Sequence, residues 1–183
     1  MPTDTAARAA RWNQRSAGVP AWAPVAAHVI ALCTIPSALW RIGIIVGFPV
    51  GYDEGWIRRS ELDTPHGAGY LLFLCVLSEA LALLSFGLVH RWGEIVPAWL
   101  PGLGGRRIPR AATVVPAGLG ALALIAVWTV GVPASALTGS TFDPEMTTGT
   151  PFTVQLVAYA PMTLWGPLLA ALAWQRWWRS GEG

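Results

Sequence analysis

Four stretches of the chain carry almost no charge and run too long for core strands, at about residues 23–48, 67–89, 111–132 and 152–174. A helix needs about 20 mainly apolar residues to cross roughly 30 Å of hydrocarbon, and each stretch meets that length. Backbone N–H and C=O groups must pair internally in a bilayer, which leaves helices or a closed barrel. None of the four stretches shows the two-residue alternation of a barrel strand. The pattern predicts an all-α, four-transmembrane-helix bundle, folded as one integral membrane domain over residues 1–183.

Composition agrees: 54% of residues are hydrophobic and 12% charged, where soluble domains carry about 25% charged residues. Mean hydropathy is +0.48. The lipid bilayer is therefore the first partner, and no nucleic-acid partner is expected. The N-terminal basic residues precede an apolar run as in a signal peptide, but the run is too long and lacks a convincing small-residue cleavage site. It is expected to stay as the first anchor.

The charges change the picture by fixing orientation. Arg8, Arg11 and Arg15 precede the first span, Arg91, Arg106, Arg107 and Arg110 separate the second from the third, and Arg176 and Arg179 close the fourth. Asp53, Glu54, Glu61 and Asp63 outnumber Arg58 and Arg59 in the first loop, and Asp143 and Glu145 stand alone in the last. The positive-inside rule places both termini in the cytoplasm. The loop 93–110, rich in proline, glycine and arginine, reads as irregular, with Trp92 and Trp99 at headgroup depth. Trp22, Trp40, Trp56, Trp174, Trp177 and Trp178 also read as interfacial anchors, whereas Trp128 and Trp165 lie inside spans and line a cavity or pack. Gly43, Gly47 and Gly51 share the four-residue spacing of a close-packing helix face, and Pro49 marks the end of span one.

Candidate chemistry centres on Glu79, near the middle of LCVLSEALALL. A mid-span carboxylate costs roughly 2.5–3.5 kcal/mol on insertion scales, so it should face protein or water. Cys75, Ser78, Ala82 and Ser85 make a small, mildly polar stripe beside it. Counted from the loop ends, Arg41 lies roughly 15 Å deep and Glu79 roughly 20 Å, near enough for an ion pair. Gln155, Tyr159 and Thr163 follow at intervals of four on span four. With Tyr70 and Trp128 they form a constellation in the outer half of the bundle, either a ligand pocket or a structural tie between spans. Arg106, Arg107 and Arg110 are candidates for lipid headgroups. The GLGG preceding Arg106 follows no strand and is no phosphate fingerprint.

Cys33 and Cys75 lack metal-ligand spacing and read as packing residues, a redox pair requiring them to meet. His28 lies in the first span and His66 and His90 at opposite ends of the second, so no two share a helix at an HxxxH or similar spacing, and no haem, metal or other cofactor is expected. GxSxG, HExxH and Walker patterns are absent.

The run LSEALALLSFGLVHRWGEIVPAWLPGLGGRRIPR, with PSALWRIG and YAPMTLWGPLLA, resembles small four-helix integral membrane proteins frequent in high-GC bacterial genomes. The resemblance implies a multi-pass protein of a bacterial cytoplasmic membrane and brings no catalytic motif. The reading that follows is binding of a small molecule, lipid or partner subunit in the outer-half polar pocket. The alternatives are an oligomeric proton-coupled transporter using Glu79, and a membrane enzyme on a lipid or isoprenoid with Glu79 and Tyr159 as acid and base.

Overall fold

A computed structural model describes residues 14–16, 18–48, 54–62, 64–96, 104–138 and 150–179. Arg8, Arg11, Pro49, Gly51, Asp53, Asp63, Trp99, Asp143 and Glu145 lie outside the described residues, as do the side chains of Glu54 and Trp56. Span one is α1 (Trp22–Ile45), followed by the short α2 (Glu54–Arg59). Span two is α3 (Pro65–Leu84), which tightens into a 3-10 turn at Ser85–Leu88. Span three is α4 (Arg110–Leu124), a π-helical turn Ile125–Gly131, and α5 (Val132–Thr138). Span four is α6 (Thr150–Tyr159), a 3-10 turn Ala160–Leu164, and α7 (Trp165–Arg179). Four helices are thus long and apolar enough to cross a membrane, and the fold is an all-α, four-span bundle.

Local chemistry sets the ends. Span one stops at Ile45, short of Phe48, because Gly47 adopts φ 85° and closes the helix. Gly47 N–H donates to the Ile44 carbonyl at 3.0 Å and Phe48 N–H to the Gly43 carbonyl at 2.9 Å, the paired bonds of a Schellman motif. Gly47 therefore ends a helix instead of extending a packing face with Gly43. Span two starts at Pro65, whose missing N–H costs nothing at the first helical position. The Thr64 hydroxyl caps it by accepting from Gly67 N–H at 3.1 Å, an interaction type worth about 1 kcal/mol.

Span three packs on span four, span four on span one, and span one on span two. Only 6% of the most apolar window of span three is buried, against 39% in spans one and four, so span three is an outer helix with most of its apolar surface left exposed. At Gly166, a Cβ would meet the Ile125 backbone nitrogen at 2.8 Å, so spans three and four touch backbone to backbone where the π turn begins. The apolar core lies toward the end bearing Trp22 and Arg179, hereafter the basic end. Ala23, Ala26, Ala27 and Ile30 of α1 meet Leu88, Val89, Trp165, Leu169 and Leu172 there. Trp165, read as cavity-lining or packing, is a packing residue. The opposite, far half holds polar and aromatic groups instead.

Candidate functional site

Tyr159 is the hub of the far half. It ends α6 just where the helix tightens into its 3-10 turn, and the π turn of span three lies against that turn. Helical irregularities of this kind free carbonyls, and one is used across the bundle: Thr129 Oγ1 donates to the Thr163 carbonyl at 2.9 Å. The π turn carries Trp128, which stacks on Tyr159 with ring centroids 5.2 Å apart and planes 19° apart. Trp40 meets the same ring edge to face at 5.6 Å. The Arg41 guanidinium carbon lies 5.4 Å from the ring centroid.

Arg41 is 6% exposed, and its Nη1 is buried without a hydrogen-bond partner among the described residues. No described carboxylate forms an ion pair with it. A cation over an aromatic face recovers about 2 kcal/mol when desolvated, well short of the several kcal/mol that burying the charge costs. Arg41, Tyr159 and Trp128 thus come together as the sequence suggests. Trp40 joins them, although its place near a helix end reads as interfacial anchoring.

Glu79 does not join Arg41. The Cys75 thiol approaches the Ala38 carbonyl at 3.9 Å, which fixes the register of spans one and two. From that contact Arg41 lies three residues toward the far end and Glu79 four toward the basic end, so their Cα levels differ by roughly 10 Å. Counting from the loops underestimated this separation because span one ends at Ile45, leaving Arg41 near its helix end. Glu79 is half-buried, and its Oε1 is buried without a hydrogen-bond partner among the described residues.

The other candidates scatter. Ser78 spends its hydroxyl on its own helix, donating to the Leu74 and Cys75 carbonyls. Tyr70 is 55% exposed. Gln155 is half-buried one turn beyond Tyr159. Thr163 leaves the Gln155–Tyr159 face because a 3-10 turn advances each residue by about 120° rather than about 100°. Its hydroxyl bonds back to the Ala160 carbonyl at 2.7 Å.

A second polar region occupies the basic end. Segments 94–96 and 105–108 pair through Val96 N–H to Arg106 O (2.9 Å), Gly105 N–H to Val96 O (2.9 Å) and Ile108 N–H to Glu94 O (2.8 Å). The loop expected to be irregular is therefore clamped at its root. Glu94 Oε1 accepts from both Arg176 Nη1 and Arg179 Nη2, the latter at 2.9 Å. Burial works to raise the Glu94 pKa. The Ser16 side chain, the Arg176 hydrogen bond and charge and the Arg179 charge outweigh it, so the carboxylate titrates below its ordinary range. Sequence reading passed over Glu94. The available signal was one carboxylate in an arginine-rich loop facing Arg176 and Arg179, an i, i+3 pair on one helical face.

Arg91, Glu94, Arg107, Arg110 and Arg176 line a cleft of about 530 Å³ here. Arg106 is exposed and lies outside that lining. Cys33 and Cys75 are buried free thiols. His28 and His90 flank Phe86, each ring Nδ1 facing a backbone carbonyl of its own segment. Among the described residues, no three His, Cys, Asp or Glu side chains converge. The chain matches no family model, no curated protein and no solved structure.

Proposed function

We propose that this four-span protein binds a small amphiphile or lipid through the far-half cluster of Arg41, Trp40, Trp128 and Tyr159, with Arg41 engaging an acidic group of the ligand. The observation that carries this reading is the buried Arg41 guanidinium with an unpartnered Nη1. A structural arginine in a membrane span normally pairs or reaches water, because an unsatisfied charge in low dielectric is costly. The rings around it supply flat apolar surface of the kind that lines ligand sites. The basic end faces the cytoplasm of a bacterial cell in this reading, which puts the cluster in the outer half of the bilayer; the arginine-rich segments at that end support the assignment.

Oleate is a suitable probe, having one carboxylate on an apolar body. Arg41→Gln should bind oleate about 10- to 100-fold more weakly, the span expected for losing one charge-assisted hydrogen bond. The same variant should melt no lower than wild type in detergent, because it removes a buried charge that no described carboxylate balances. A variant that melts far lower and binds oleate unchanged would make Arg41 structural glue and sink the reading.

One observation favours a second reading. The unpartnered Oε1 of Glu79 in mid-span suits a proton carrier, in an oligomeric proton-coupled transporter. Uptake into proteoliposomes driven by a pH gradient, and lost in Glu79→Gln, would select it. The acid–base enzyme reading gains nothing, since the neighbours of Tyr159 are Arg41, Trp40 and Trp128.

A further inference from the structure

We propose that the basic-end cleft is a separate binding site for a phosphate group, contributed by an anionic phospholipid headgroup or a soluble phosphate ester. Four guanidinium groups, from Arg91, Arg107, Arg110 and Arg176, face one carboxylate, Glu94, around a cavity of about 530 Å³. Glu94 is already committed to Arg176 and Arg179. The guanidinium groups of Arg91, Arg107 and Arg110 make no ion pair with a described carboxylate. The lining therefore carries a positive excess that no described carboxylate beyond Glu94 neutralises.

Backbone geometry adds to the field. Pro109 caps α4 without any side-chain acceptor, and both Pro109 and Arg110 line the cleft. Ala112 N–H donates to the Pro109 carbonyl at 3.0 Å, while the N–H groups of Arg110 and Ala111 precede the hydrogen-bond ladder of the helix, which presents its positive end. Helix N-termini of this kind hold phosphate readily. The walls are set by the backbone pairing of 94–96 with 105–108, which uses main-chain groups and not the guanidinium groups of Arg91, Arg107 and Arg110.

Position and donor geometry argue for phosphate. Arg110 begins span three and Arg176 belongs to the last turn of span four, so the cleft opens where hydrocarbon gives way to headgroups. Arg91, Arg107 and Arg110 are exposed at its mouth. Guanidinium forks bind phosphate oxygens bidentately, and several forks around one site suit a group with more than two acceptor oxygens. Basic pockets between transmembrane helices hold anionic headgroups in this way.

The test uses the full chain in detergent, read by native mass spectrometry with phosphatidylglycerol or phosphatidylcholine added, and by thermal shift with inorganic phosphate or ATP. Phosphatidylglycerol should be retained preferentially, and Arg107→Gln/Arg110→Gln should weaken it about 30-fold. Arg106→Gln, outside the lining, should leave binding unchanged. Stabilisation by inorganic phosphate or ATP that the double variant abolishes would support the site and assign it to a soluble source. Equal retention of the two lipids together with no effect of either soluble phosphate would overturn the proposal. So would binding that survives in a folded double variant. Should the double variant fail to fold, the single substitutions of these two exposed side chains give the same reading.

Discussion

Gly93→Ala is expected to be the most damaging single-methyl change in the described chain. A Cβ at Gly93 would lie 1.8 Å from the Gly87 carbonyl oxygen and 2.5 Å from its carbon, both backbone atoms that no rotamer change can move. Gly87 is itself held under the Trp92 ring, whose nearest atom would meet a Cβ there at 2.9 Å. The two 3-10 turns Ser85–Leu88 and Arg91–Gly93 fold onto each other here, and that reversal aims Glu94 at Arg176 and Arg179. Overpacking costs roughly 1–3 kcal/mol where side chains can yield. Here they cannot, so a loss above about 3 kcal/mol is expected, lowering Tm by about 6 °C or more. Gly118→Ala is the control, because a Cβ there meets nothing within 4 Å and helix propensity favours alanine. Gly93→Ala melting within a degree or two of Gly118→Ala would refute the packing argument.

Much of this fold was legible because a bilayer asks a simple question of a sequence. Length and apolarity alone locate four spans, and the structure moves their ends by only a few residues, save that span three runs on to Thr138 and span four to Arg179. What moved them was local. Gly47 ends α1 ahead of Pro49, and the Thr64–Pro65 cap starts α3 ahead of Gly67. The π and 3-10 turns in spans three and four left no hydropathy signature, since every residue in them remains apolar enough to cross.

The site was half legible for the same reason. Arg41, Tyr159 and Trp128 announce themselves as polar or bulky groups inside spans, and they do converge. Partnership between Arg41 and Glu79 depended on depth, and an error of a few residues in one helix end is several ångströms along its axis. Face assignments failed where helical pitch changed, as at Thr163. Trp40 was hidden by its position near a helix end, where interfacial anchoring is the ordinary reason for a tryptophan.

Glu94→Gln should loosen the basic end and make the protein lose its acid sensitivity together with its stability. Arg176 is 4% exposed, so Glu94→Gln takes the charge of a facing carboxylate away from a buried guanidinium that lies beside Arg179. Breaking a fully buried pair costs about 3–5 kcal/mol; Glu94 is 32% exposed, which reduces the expectation to about 2 kcal/mol. The pH dependence gives an independent reading. The pKa of Glu94 is lower in the folded protein than its ordinary value, so its contribution is complete above the unfolded value of about 4.3. It fades as pH falls through the folded value. Wild type should therefore exceed Glu94→Gln most clearly at neutral pH, and the gap should close below about pH 4. A gap unchanged between pH 7 and pH 3 would mean the substitution acts through packing. A closing gap would identify one carboxylate, on the loop between spans two and three, as the clasp that holds the end of span four in place and forms one wall of the arginine-lined cleft.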